Sequence, residues 1–342
     1  MDSEKELPVV SAMIVYRNEE STIGRALRSI LEQNYPDDRM EVILIDGMST
    51  DNSRNVIQEV IESVNRPIPI KFINNEKKIL SSGWNLGLKE AKGEYVFRID
   101  GHSTIENQYI RKCLDGYKKA GPKTVCVGGT INSISSEDSN GAISLVLSSP
   151  FGVGDSKFRY SKESAYVDTI AFALYKRSVF NEVGYFDEHL IRNQDLDLHV
   201  RIRKAGHKLY LDPSIRVIYF ARNTLKSMLK QGFLNGEWVM ILFKKNPEAL
   251  SVRHLIPFIF VLSLVVLAVL SIIWHPLVWI LVVELLLHLL LGFIFAFRKK
   301  TDATNTFRMP LYFMLLHIAY GIGSVVGLAK AMQKSKIWIF SK

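Results

Sequence analysis

The chain has 342 residues, 48% of them hydrophobic and 23% charged, with a net charge of +9. That length leaves room for a globular domain plus an appendage, and two cysteines, Cys113 and Cys126, exclude a disulfide framework or a cysteine zinc site and fit a reducing compartment. The basic residues crowd around long apolar runs beyond Leu255, which suits an anionic lipid surface; no RNA- or DNA-binding module occurs, so no nucleic-acid partner is expected.

The start, Met1 to Glu6, is charged and has no apolar h-region, so no secretion signal is expected and the soluble part should stay in the cytosol. Val9 to Val15 reads as a buried strand. Ile23, Ala26, Leu27, Ile30 and Leu31 then recur at helical spacing. Met40 to Ile45 is a second strand, and Val56, Ile57, Val60, Ile61 and Val64 mark a second helix. Ile68 to Ile73 is a third strand, Ser81 to Ala91 a helix, and Tyr95 to Ile99 a fourth strand. This alternation predicts an α/β domain built on a parallel sheet. Val125 to Ile131 and Thr169 to Tyr175 are further strands. Ser133 to Lys162 is rich in Ser and Gly and reads as a mobile loop over a site. A helix from about Asp195 to Ala205 closes at Gly206.

Leu225 to Phe243 is amphipathic, with Leu225, Met228, Leu229, Phe233, Val239 and Phe243 among Lys226, Lys230 and Lys244, and suits a helix in the membrane interface. Leu255 to Trp274 and Leu277 to Phe297 are long enough to cross a bilayer and form a hairpin. Pro310 to Leu328 is a third run, containing His317, Gly321, Gly323 and Gly327. Arg298, Lys299, Lys300 and Arg308 place the loop before it in the cytosol. A third full span would put Lys330, Lys334, Lys336 and Lys342 on the far side, against the same rule; the alternative is a re-entrant or interfacial segment. Glu284 and His288, four residues apart, can pair inside the bundle or touch a lipid headgroup. The expected organisation is a domain over 1–222, an interface region over 223–250 and a membrane domain over 251–342.

Four constellations carry chemistry. Tyr16-Arg17-Asn18-Glu19 follows the first strand, and Asp46-Gly47-Met48-Ser49-Thr50-Asp51 follows the second. Asp46 can accept from a base N–H, Tyr16 can stack on the base, and helix N-termini favour phosphates; each motif is equally ordinary as helix-capping loop chemistry. Asp100-Gly101-His102 ends the fourth strand, where a carboxylate and an imidazole can hold a divalent ion bound to a diphosphate. Asn193-Gln194-Asp195-Leu196-Asp197 opens a helix, and a carboxylate there can serve as general base or simply as an acidic first turn.

Taken in order, these motifs resemble the inverting glycosyltransferases of family 2. Arg98 to His102, Ser149 to Gly154, Val167 to Thr169, Gly184 to Glu188 and Arg192 to Asp195 look like the succinoglycan-type exopolysaccharide enzymes. The resemblance implies a GT-A domain (Rossmann-like and nucleotide-sugar-binding), followed by an interface helix and transmembrane helices, in the inner membrane with the catalytic domain cytosolic. It implies a nucleotide-sugar donor, UDP-linked, and a lipid-linked or glycan acceptor. Tyr16, Asn18, Glu19 and Asp46 would hold the nucleotide, with Asp51 less certain. Asp100 and His102 would engage Mg2+ or Mn2+ on the donor diphosphate. Asp195 would take the acceptor proton, with Asp197 supporting it or the acceptor. Two departures stand out. His102 occupies the place of a second Asp in the wider family, and Gln231-Gly232-Phe233-Leu234 lacks the Arg-Trp of processive synthases, which favours single transfers. Two competing readings remain at this point: a non-catalytic membrane scaffold, and an NAD-dependent oxidoreductase resting on Gly152-Val153-Gly154, which lacks the strand-to-helix context.

Overall fold

The first apolar run forms β1 (Val10–Tyr16), and all seven of its residues are buried, as befits a central parallel strand covered on both faces. The computed structural model describes residues 7–135, 141–221 and 224–333. The charged start, residues 136–140 of the Ser/Gly-rich stretch, and Lys334, Lys336 and Lys342 lie outside the described residues. The chain divides into two compact units, Met1–Ile134 with Tyr160–Ala221, and Ser135–Arg159 with Arg222–Lys342.

In the first unit β1 is followed by α1 (Ile23–Leu31), β2 (Met40–Asp46), α2 (Ser53–Val64), β3 (Ile70–Asn74), α3 (Leu80–Glu90) and β4 (Tyr95–Asp100). β1 lies between β2 and β4, with β3 outside β2, all parallel. The register sets Tyr16 beside Asp46 and Val15 beside Asp100, so the turns after these strands open at one sheet edge, where ligands of α/β proteins bind. α1 buries the predicted stripe of Ile23, Ala26, Leu27, Ile30 and Leu31 in a core with Ile14, Phe97 and Ile99. Each fully buried aliphatic side chain there contributes roughly 1.5–3 kcal/mol.

β5 (Ser103–Ile105), α4 (Tyr109–Lys119) and β6 (Thr124–Ser135) continue the chain. After α5 (Gly141–Leu147) and α6 (Pro150–Val153) come β7 (Ala165–Val167), β8 (Ala173–Lys176), α7 (Val179–Val183), α8 (Gln194–Lys204) and β9 (Lys208–Ala221). The sheet runs β3-β2-β1-β4-β8-β6-β9-β5, with β7 on β9. β8 joins β4 antiparallel, so the sheet is mixed rather than wholly parallel. The strand expected over Thr169 to Tyr175 starts late because Phe172 sits at φ 50°. β9 passes straight through Asp212-Pro213-Ser214.

The Ser/Gly-rich stretch is the clearest difference from the sequence reading. It holds α5 and α6, which belong to the second unit. Ala142, Ile143 and Val146 are buried there with Met228, Met309 and Phe313. Gly152-Val153-Gly154 lies in and just after α6, with no strand leading into a phosphate turn; the dinucleotide-binding reading fails on position.

The second unit also contains α9 (Leu225–Lys245), α10 (Val252–Ile273), α11 (Leu277–Arg298) and α12 (Ala303–Gln333). α10, α11 and α12 are each long and apolar enough to cross a membrane. α12 is one unbroken helix of 31 residues, about 46 Å at 1.5 Å per residue, which leaves no re-entrant break. Its glycines are a packing seam. A Cβ on Gly323 would lie 2.0 Å from the Phe233 carbonyl oxygen, and one on Gly327 would lie 2.2 Å from that of Glu237. Small residues let apolar helices approach this closely. Glu237, buried on α9, pairs with Lys330 at 2.5 Å. Glu284 and His288 have separate partners: Glu284 accepts from Ser263, while His288 bonds His317 at 2.9 Å, and His317 donates to the Phe151 carbonyl at 2.9 Å.

Candidate active site

The turns after β1 and β2 are knitted together. Thr50 N–H donates to Asn18 Oδ1 at 2.8 Å, Glu19 N–H to Ser53 Oγ at 2.9 Å, Glu20 N–H to Asp51 Oδ2 at 3.0 Å, and Gly47 N–H to the Tyr16 carbonyl at 2.8 Å. Asn18 and Met48 take left-handed conformations, φ 54° and 61°, to make these turns. Asp46 is buried. Its Oδ1 accepts from Ser49 N–H at 2.7 Å and its Oδ2 from Arg54 Nε at 2.6 Å. Burial would raise the Asp51 carboxyl, but hydrogen bonds from the Ser53 hydroxyl and the Glu20 and Ser53 N–H groups hold it below the usual value.

The stacking role for Tyr16 needs correction. The residue is 2% exposed and belongs to the hydrophobic core, so its ring offers no free face to a base. The exposed polar residues at these turns include Arg17, Asn18, Glu20, Thr50, Asn52 and Arg54. Arg54 was legible only as a cation in the first turn of α2.

β4 explains the next group. Side chains alternate along a strand, so Phe97 and Ile99 enter the core while Arg98 and Asp100 share the opposite face. Arg98 is 5% exposed. Its guanidinium lies 3.3 Å from the centroid of the Trp84 ring and 5.5 Å from that of Phe186. It pairs with Asp195 Oδ1 and lies 3.8 Å from Asp100 Oδ1. Two aspartates 95 positions apart in sequence thus flank one buried cation. The sequence reading missed Arg98, although a charge inside an apolar strand two residues before Asp100 was its signal.

Asp195 stands in the first turn of α8, which begins after Asn193 at φ 61°. Asp197 is buried and accepts from Arg201 Nε at 2.9 Å, and Arg201 in turn donates to the carbonyls of Val183, Gly184 and Tyr185. His199, on the same helix, bonds Thr169 Oγ1 at 3.0 Å and Tyr175 Oη at 2.8 Å. Burial lowers its pKa to about 4.

His102 is bonded at both ring nitrogens, Nδ1 to Glu19 Oε1 and Nε2 to Tyr219 Oη, each at 2.9 Å. Burial pushes the Asp100 carboxyl up, opposed by Arg98 and His102. Asp100 Oδ1 is buried and has no hydrogen-bond partner among the described residues. Carboxylate and imidazole, the side chains of Asp100 and His102, are donor types that a divalent cation takes, and the orphaned oxygen lies 3.8 Å from Arg98. No group of three or more His, Cys, Asp or Glu side chains is arranged as a metal site among the described residues, so further ligands would come from a diphosphate and water, the usual arrangement for Mg2+.

The family model for glycosyl transferase family 2 matches residues 11–184. The chain belongs to that family. It is a glycosyltransferase with a GT-A fold. A dolichyl N-acetyl-alpha-D-glucosaminyl phosphate 3-beta-D-2,3-diacetamido-2,3-dideoxy-beta-D-glucuronosyltransferase of Methanococcus voltae is 29% identical over 94% of this chain and 97% of its own length. The succinoglycan biosynthesis protein ExoA of Rhizobium meliloti is 27% identical over 75% of this chain and 77% of its own. In fold, the chain is similar to the mannosyltransferase PcManGT of Pyrobaculum calidifontis, solved with GDP-Man and Mn2+, with a TM-score of 0.53, 15% identity, and coverage of 97% of this chain and 76% of that one.

Proposed function

We propose that this glycosyltransferase is anchored in the inner membrane by α10–α12, with its GT-A unit in the cytosol. It moves a sugar from a nucleotide donor, UDP-linked, to a lipid-linked acceptor in cell-surface glycan assembly, with inversion. The observation that supports this most is the Asp100–Arg98–Asp195 constellation, in which the two aspartates assigned to the diphosphate and to the acceptor flank one buried cation. The relatives from Methanococcus voltae and Rhizobium meliloti support the acceptor class.

Asn18, Glu19 and Asp46 shape the nucleotide seat, with Tyr16 as a buried wall. Mg2+ or Mn2+, held by Asp100 and His102, would supply positive charge to the leaving diphosphate. Asp195 Oδ1 is fixed by Arg98, which leaves Oδ2 to accept the acceptor hydroxyl proton. As that proton moves to Asp195, the acceptor oxygen bonds the anomeric carbon and the carbon–oxygen bond to the diphosphate breaks, its electron pair leaving with the nucleotide. A carboxylate held in one rotamer contributes through orientation.

The test is full-length protein in detergent, given Mn2+, membrane lipid extract, and UDP-, GDP- or dTDP-sugars. Donor-specific release of nucleoside diphosphate with labelling of the lipid fraction is expected. Release without lipid labelling, or labelling only of a soluble glycan, contradicts the acceptor assignment.

A further inference from the structure

We propose that Asn85, on α3, is a positioning residue for sugar transfer: it seats Phe186 against Arg98 and so fixes the guanidinium that holds Asp195. This rests on the reading of Asp195 as the base.

Arg98 is held by aromatic faces more than by hydrogen bonds. A guanidinium offers five N–H donors. This one pairs with Asp195 Oδ1 and stands 3.8 Å from Asp100 Oδ1, and its buried Nε has no hydrogen-bond partner among the described residues. Its position is set by the Trp84 ring, 3.3 Å away, and the Phe186 ring, 5.5 Å away. Both lie within the roughly 6 Å over which an aromatic face attracts a cation. The two rings pack on each other, with centroids 4.9 Å apart. Trp84 is carried by α3, so the helix places it. Phe186 lies between α7 and α8, outside any helix or strand, so side chains must place it.

Two side chains do so. Asn85 is buried next to Trp84 on α3. Its Nδ2 donates to the Phe186 carbonyl at 2.9 Å, and its Oδ1 accepts the Phe186 N–H at 3.0 Å. Nδ2 also donates to Glu188 Oε1 at 3.1 Å, and Glu188 is paired with Lys77 at 2.6 Å. A carbonyl only accepts and a backbone N–H only donates, so these partners allow the amide one orientation. From α8, Arg201 donates to the carbonyls of Val183, Gly184 and Tyr185. The same helix carries Asp195. The three residues before Phe186 are thus tied to the helix of the base, and Phe186 itself to α3. Removing the Asn85 amide takes both partners from the Phe186 backbone, which is costly for buried polar groups. The segment then shifts, and one wall of the Arg98 seat shifts with it.

The test is a double-mutant cycle on full-length protein in detergent, with Asn85→Ala, Arg98→Met and the pair. Sugar transfer to membrane lipid extract gives kcat and the KM for the donor, and tryptophan fluorescence gives Tm. Asn85→Ala should lower kcat roughly 10-fold, short of the roughly 100-fold for a group misplaced by about 1 Å, because Trp84 still faces the guanidinium. The KM should stay within about 2-fold of wild type, and in the Arg98→Met background Asn85→Ala should cost less than about 2-fold in kcat, the scatter expected of independent sites. An equal loss of kcat in both backgrounds, or a raised KM with kcat unchanged, overturns the proposal and leaves Asn85 a scaffold residue. Melting reads the coupling without turnover: a Tm loss in the pair smaller than the sum of the single losses supports it, and a loss equal to the sum overturns it. Wild-type transfer by Asp195→Asn overturns the base assignment and the proposal with it, whereas independent effects alongside an inactive Asp195→Asn overturn the proposal alone.

Discussion

Replacing Arg98 with Met tests the electrostatic frame of the site. The substitution keeps an apolar stem against Trp84 and Phe186 and removes the guanidinium. In the wild type its side chain is 6% exposed while that of Asp195 is 32% exposed. Removing one partner of a fully buried pair costs about 3–5 kcal/mol, and the partial exposure of Asp195 sets the expectation near the lower end, about 3 kcal/mol. Loss of the cation–π contact with Trp84 adds about 0.5–2 kcal/mol, which the Met side chain partly offsets. A domain of this size loses roughly 2–4 °C in Tm per kcal/mol, so the first unit should melt about 6–12 °C earlier. Turnover should fall on the order of 100-fold, the effect of a reacting group misplaced by about 1 Å. Arg98→Lys keeps the charge but not the planar fork that grips a carboxylate, and should fall between. Melting by tryptophan fluorescence and nucleoside diphosphate release on the same preparations read both effects. Met at position 98 with wild-type melting and turnover would refute the frame.

Other consequences follow from the same contacts. His199 is neutral in the fold with a pKa near 4, below its ordinary 6.5. The unfolded chain therefore binds the extra proton first, and stability is full above about pH 6.5 and declines as pH falls towards 4. At about 1.4 kcal/mol per pH unit the loss is roughly 3 kcal/mol. His199→Gln should flatten that part of the stability curve measured by urea unfolding at pH 7 and pH 5, and an unchanged slope would exclude His199 as its source. Gly323→Ala places a methyl 2.0 Å from the Phe233 carbonyl oxygen, so the helix seam must open at a cost of roughly 1–3 kcal/mol. Faster proteolysis of the α9–α12 pair in detergent would show it, and wild-type resistance would mean the seam tolerates a side chain.

The central strands were legible because a buried parallel strand is a mostly apolar run, as in Val10–Tyr16 and Tyr95–Asp100. The turns that follow were legible because helix starts need Asn, Asp and Ser. Elsewhere the local signal was weak or pointed the wrong way. The serines and glycines of residues 133–162 hid a short helix whose partners are Met309 and Phe313, far along the chain. The membrane glycines looked like interruptions until their opposing carbonyls were in view. Asp100 and Asp195 were singled out by their motifs. Their common partner Arg98, and Tyr219 against His102, depend on pairings of residues 97 and 117 positions apart, which no local pattern encodes. Tyr16 shows the converse: the motif position was apparent, and the burial of its ring was not.

The central claim is that Asp100 and Asp195 serve the two ends of one reaction. Nucleotide binding by calorimetry, with and without Mn2+, alongside sugar transfer, tests it most directly in Asp100→Ala and Asp195→Asn. Asp195→Asn should bind nucleotide as wild type does and transfer nothing, while Asp100→Ala should lose the Mn2+-dependent part of binding. Wild-type transfer by Asp195→Asn, or undiminished Mn2+-dependent binding by Asp100→Ala, would contradict it.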